Sequence, residues 1–173
     1  MVTPTVPRFE EAMWIAGYYL SLAVHIVSMD EGGFIPLGGS VRDGKTIARQ
    51  FDADRLEVGV AEGRSWLESN PDNLERAVLV FDGYYSLPDR KVDALHAEIV
   101  DYAHPRQTFR VALPYRPVTC AEGFAVYRPK FIYETDEDMD DSLSQALGQA
   151  FMVGTEAYEE GSALWERHKD ESL

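Results

Sequence analysis

Between Arg76 and Glu134 the apolar and polar positions alternate, or run together, as in β-strands, and the segments on either side repeat with the period of helices. Ala77-Val78-Leu79-Val80-Phe81 is a continuous apolar run, as expected of a strand covered on both faces, and it ends at Asp82-Gly83. A turn at Leu87-Pro88-Asp89-Arg90 leads into a second strand, predicted from about Val92 to Tyr102. There Leu95, Ala97 and Ile99 point one way, and His96 and Glu98 the other. After a turn at Ala103-His104-Pro105-Arg106, the third strand sets Phe109, Val111, Leu113 and Tyr115 against Thr108, Arg110, Ala112 and Arg116.

A fourth strand, Gly123 to Glu134, places Tyr127, Phe131 and Tyr133 opposite Arg128 and Lys130. Pro129 interrupts it, which marks an edge strand or a bulge. Connections this short join antiparallel neighbours, because parallel pairs need a long crossover. The block therefore reads as a roughly four-stranded antiparallel meander over residues 76–134. One face is aromatic and apolar; the other gathers His96, Glu98, Arg110, Arg128 and Lys130.

Three helices are predicted to cover it. Arg8 to Met29 carries no charge between Ala12 and Met29, and its apolar positions extend around most of a helical circumference, as in a central buried helix. Glu10-Glu11 before the span and Asp30-Glu31 after it argue against a membrane segment or signal peptide. His25 is expected to be a hydrogen-bonded core histidine, for no second ligand stands at helical spacing. A second helix runs from Asp52 to Ser69, with Asp54 and Glu57 as a capping box and Gly59 and Gly63 permitting close approach to another element. The last, Ser142 to about His168, presents Leu143, Leu147, Phe151, Gly154, Tyr158, Gly161 and Trp165 as one stripe. It is expected to dock on the sheet or the first helix, with a homodimer contact as the alternative. The fold class is thus α+β, and residues 1–173 are read as one globular domain.

Charge narrows the function classes. With 30 acidic against 16 basic residues, the formal net charge is −14. That disfavours nucleic acid and anionic membrane as partners, since phosphate binding depends on Lys and Arg, and it suits solubility or a basic partner. Cys120 is the single cysteine, so no internal disulfide exists, and a cytoplasmic location is expected. With no assignable histidine partner, its thiol is read as incidental.

Three stretches invite chemistry. Gly39-Ser-Val-Arg-Asp-Gly44-Lys45-Thr46 satisfies the phosphate-loop pattern, in which Lys45 would reach phosphate, and Thr46 with Asp82 would hold magnesium. Such a loop must join a buried strand to a helix N-terminus. Here Pro36 and several glycines make a poor central strand, so an Asp-Gly hairpin turn is the preferred reading. The run Asp136-Glu137-Asp138-Met139-Asp140-Asp141 resembles the start of a calcium loop, but Asp141 stands where glycine is required and Leu147 where glutamate is. It is read instead as an acidic helix start. Finally, His96, Glu98, Arg110 and Arg128 could bind an anion and move a proton, although cross-strand ion pairs explain them more simply.

The expected function is binding without catalysis. No cofactor or metal is expected, and the partner is a protein, basic at its contact surface, with this chain acting as an inhibitor or immunity-type protein. The alternatives are an enzyme or ligand-binding site on the charged sheet face, and nucleotide binding at Gly39–Thr46.

Overall fold

The computed structural model describes residues 5–29, 33–43, 45–103, 105–134 and 140–173. The chain is α+β. Its elements in order are α1 (Thr5–Val27), β1 (Leu37–Arg42), β2 (Lys45–Gln50), α2 (Leu56–Ser69), β3 (Arg76–Ser86), β4 (Lys91–Asp101), β5 (Gln107–Arg116), β6 (Ala125–Val126), β7 (Lys130–Glu134), α3 (Asp141–Ala157) and α4 (Glu159–Arg167). The sheet is seven-stranded in the order β2-β1-β3-β4-β5-β6, with β7 also on β5. Every strand pair within it is antiparallel.

The meander is therefore the middle of a wider sheet. Two departures from the four-strand reading have physical causes. The segment Leu37–Arg42, whose glycines argued against a central strand, is β1, which extends the sheet beyond β3 together with β2. Its glycines serve packing on both faces. A Cβ on Gly39 would stand 2.4 Å from the ring of Tyr19 in α1, and one on Gly38 would stand 2.7 Å from Trp66 in α2. The predicted fourth strand is split into β6 and β7, and Pro129, which cannot donate to a ladder, lies in the gap between them.

Alternation in β3, β4 and β5 sorts side chains onto two cores. Val78, Val80, Leu95, Ala97, Ile99, Phe109, Val111, Leu113 and Tyr115 face α1, α3 and α4. Ala77, Leu79, Phe81 and Val100 face the other way, where Phe51 and, from α2, Trp66 and Leu67 cover them. The first helix is central, as its apolar circumference requires: Met13, Ala16, Leu20 and Ala23 have no exposed surface. Among the described residues no helix is long and apolar enough to cross a membrane.

The helix ends also differ from the sequence expectation. Residue Arg55, not Asp54, occupies the N-cap of α2, with extended backbone and no side-chain cap. The reason lies upstream. Phe51 is buried, and its N–H donates to Pro36 O at 2.9 Å, so the chain is held extended until it has passed that anchor. The C-terminal helix is broken at Tyr158, whose ψ of 91° is not helical. The break lets α3 and α4 each meet α1. Leu147, Phe151 and Trp165 bury the apolar stripe against α1 and the sheet. Tyr158 also receives His25, whose Nδ1 lies 2.9 Å from the tyrosine hydroxyl.

Candidate functional site

Covering the α2 face of the sheet is one short helix, and it sits over β1 and β3. The rest of that face is a trough. The pairing of β1 with β3 involves Leu37–Gly39 and Val78–Val80 and goes no further. Strand β3 continues to Ser86, bonded on its other side to β4. Among the described residues, no strand lies along the outer edge of Phe81–Ser86.

Two hollows meet at this edge. The larger, about 650 Å³, has Leu56, Val60 and Arg64 of α2 as one wall and Phe81, Gly83 and Tyr84 of β3 as the other, with Asp82 and Asp93 at its end. The second, about 300 Å³, shares Arg64, Phe81, Gly83 and Tyr84 and runs over His96, Glu98 and Arg110 to Ile132 of β7. Tyr84 is 69% exposed and Leu56 46%, unusual exposure for large apolar surfaces lining one concavity.

Phe81 organises the polar groups. The His96 ring stacks on it with centroids 5.2 Å apart and planes 14° from parallel. The Arg64 guanidinium lies 5.1 Å from its centroid and also binds Glu98 at 2.7 Å. His96 Nε2 lies 2.9 Å from the carbonyl oxygen of Tyr84. An oxygen of that kind only accepts, so Nε2 carries the proton. Burial lowers the pKa of His96 from its ordinary value, against the raising effects of the Tyr84 carbonyl and Glu98, so the ring is neutral at pH 7 with a bare Nδ1.

At the far end of the larger hollow, the Tyr115 hydroxyl donates to both carboxylate oxygens of Asp82, at 2.9 and 3.0 Å. Burial raises the pKa of Asp82, and the nearby charge of Asp93 raises it further; the Tyr115 hydrogen bond offsets part of this. Burial raises Asp93 as well. Burial pushes the Tyr115 phenol well above the usual range, with Asp82 adding to the shift. Neither aspartate has an ion-pair partner among the described residues.

These shifts set a sign for pH dependence. A carboxyl whose pKa is higher folded than unfolded binds its proton more tightly in the native state. Stability from it is therefore largest below the unfolded value of 3.8 and is lost as pH rises through the folded value. The stability gap between Asp82→Asn and the wild protein is expected to shift in the variant's favour as pH rises from about 4 to 7. Urea denaturation across that range measures it, and a gap that does not change would contradict the buried, charge-coupled setting of Asp82.

Compared with family models, curated proteins and solved structures, this chain matches none.

The residues singled out in the sequence divide as follows. His96, Glu98 and Arg110 share one hollow, and Arg110 stands directly opposite Glu98 in the β4–β5 register. Glu98, however, is held by Arg64, and Arg110 pairs with Glu134 at 2.7 Å. Arg128 is not part of the group. It lies in the gap between β6 and β7 and pairs with Glu171 at 3.4 Å. Arg64 was the residue missing from the sequence reading. Its only signal was its place beside Gly63, which brings α2 so near β3 that a Cβ there would stand 2.5 Å from Leu79.

The phosphate-loop match lies in a β-hairpin. Arg42 pairs with Lys45 across the turn, Asp43 has a φ of 51°, and Lys45 and Thr46 are exposed in β2 instead of opening a helix. Gly44 lies outside the described residues. Asp82 is on β3, separated from β2 by β1, and is engaged by Tyr115. Of the acidic run, residues 136–139 lie outside the described residues, while Asp140 caps α3 by accepting from the Leu143 N–H at 2.7 Å. Among the described residues no group of three or more His, Cys, Asp or Glu could hold a metal ion. Cys120 sits part-buried in the turn after β5, where its N–H donates to Pro117 O at 3.1 Å.

Proposed function

We propose that this protein acts by binding another protein, basic at its contact surface, in the groove between α2 and β3. One observation carries the reading. An apolar concavity lined by an exposed tyrosine ends at two carboxylates that have no cation partner among the described residues. Rigid aromatic anchors and unpaired charge at the centre of a concave surface are what a protein interface offers a partner of opposite sign. The net charge of −14 extends that complementarity beyond the groove and would speed encounter with a basic surface. An inhibitory or immunity-type role is consistent with such a surface.

Binding is favoured over proton transfer on the sheet face because its ionisable groups are already engaged. Glu98 accepts three hydrogen bonds from Arg64 at 2.7, 3.1 and 3.3 Å, and the His96 proton is committed to Tyr84 O. A general base needs a lone pair aimed at substrate, and the ion pair with Arg64 holds the Glu98 carboxylate turned toward α2.

The test is capture of the partner from native lysate at low and high salt, with Leu56→Glu as the control. Leu56 opens α2, where an acidic residue suits the helix dipole, so the variant is expected to fold normally. The expected result is a stoichiometric basic partner, weakened by salt and lost with Leu56→Glu. Capture that is indifferent to Leu56→Glu would remove the groove from the account.

A further inference from the structure

We infer that the partner enters this groove as an extended, basic segment that adds a strand to the free edge of β3. The inference rests on the binding reading above and specifies the form of the ligand. Phe81–Ser86 is hydrogen-bonded to β4 on one side and has no strand on the other among the described residues. Its length matches that of a common strand, and such an edge is a template for main-chain pairing.

The surroundings select what could pair there. Side chains of an added strand alternate between faces. On the α2 side they would meet Leu56, Val60 and Phe81, an apolar wall. On the other they would meet Asp82 and Asp93, same-face diagonal neighbours two positions apart in the β3–β4 register. Because burial and mutual repulsion already penalise their charged forms, a lysine or arginine between them gains more than it would at an exposed carboxylate. A segment alternating basic and apolar residues satisfies both walls at once.

The groups open to pairing follow from the ladder. Glu75 O accepts from the Tyr102 N–H and the Leu87 N–H donates to Arg90 O, so the odd positions of β3 bond to β4 and the N–H groups of Asp82 and Tyr84 point to the open edge. The carbonyls of an incoming strand would take those N–H groups while its cation takes the Asp82 carboxylate. The open edge of β2 does not fit the same ligand. Strand β2 carries Lys45 and Arg49 along its exposed length and would repel a basic segment.

The experiment uses the full chain and a displayed library of octapeptides in which Lys or Arg alternates with Val, Ile or Leu. An enriched peptide is then synthesised with its backbone intact and with alternate residues N-methylated, which removes donors and leaves side chains. Binding of the intact peptide is expected to slow amide hydrogen exchange at Asp82 and Tyr84, whose N–H groups face the open edge. N-methylation should weaken it at least about tenfold, as should Asp82→Asn combined with Asp93→Asn. Failure to enrich any peptide, or equal binding by the methylated form, would overturn the inference. So would concentration-dependent self-association abolished by Lys45→Glu, which would assign the edge to β2 of a second copy. If a lysate partner is lost with Leu56→Glu while β3 exchange is unchanged in its complex, strand addition fails and groove binding stands.

Discussion

Gly154→Ala is expected to lower the free energy of unfolding by about 3 kcal/mol, the upper end of what overpacking a well-filled core costs. The position is where α3 crosses α1. A Cβ built on Gly154 would stand 2.1 Å from the backbone oxygen of Trp14, and one on Gly17 would stand 2.0 Å from that of Phe151. The two glycines thus bring the helices together reciprocally, each seating a carbonyl of the other helix. A helical carbonyl cannot swing aside without breaking its own hydrogen bond, so the helices must separate. Separation would loosen Leu147 and Phe151, both fully buried between α1 and the sheet. Gly148 supplies the control. It lies in the same helix with nothing within 4 Å of a built Cβ, so Gly148→Ala should instead gain about 1 kcal/mol from helix propensity. Urea denaturation of the two variants should therefore give shifts of opposite sign. A loss below about 1 kcal/mol for Gly154→Ala would mean that α1 and α3 do not approach so closely.

Tyr84→Ala is expected to weaken partner binding by roughly 2 kcal/mol or more, about thirtyfold, while leaving stability within about 0.5 kcal/mol. Tyr84 lines both hollows and is 69% exposed, so its side chain has little to lose in the fold and a large aromatic surface to bury in a complex. The bond from His96 goes to the backbone oxygen of Tyr84 and survives the truncation. Phe81→Ala would be the wrong probe for the same groove. Phe81 is buried beneath His96 and Arg64, and its removal would disturb the sheet along with the surface. Calorimetric titration of the captured partner, paired with a melting curve, separates the two effects. An unchanged affinity would place the contact elsewhere.

Much of the fold was legible because a period of two leaves little choice of face. Phe109, Val111, Leu113 and Tyr115 lie on the buried face that their alternation required. The unbroken run Ala77–Phe81 is covered on both sides, as its lack of polar positions demanded. Gly59 and Gly63 likewise announced a close approach. The site was less legible. His96, Glu98 and Arg110 follow from alternation and register together, and the structure gathers them. Arg128 carried the same pattern, but the gap at Pro129 left it outside the strands, where period two has no meaning.

Local chemistry along the chain determined which residues are strand and which helix, which face of each is apolar, and that the whole carries strong negative charge. Those properties depend on near neighbours and on composition, and both are written in the sequence. Only the tertiary structure decided which strand lies beside which, that β1 leaves β3 after Val80, and that α2 covers part of one sheet face and leaves a groove on the rest. Each of these is settled by contacts between residues far apart in the chain: Phe51 with Pro36, Gly39 with Tyr19, Arg64 with Glu98. Hydrophobic burial is non-directional, so it drives the faces together without saying which partners meet. Close packing then selects the few arrangements in which the glycines, rings and carbonyls fit.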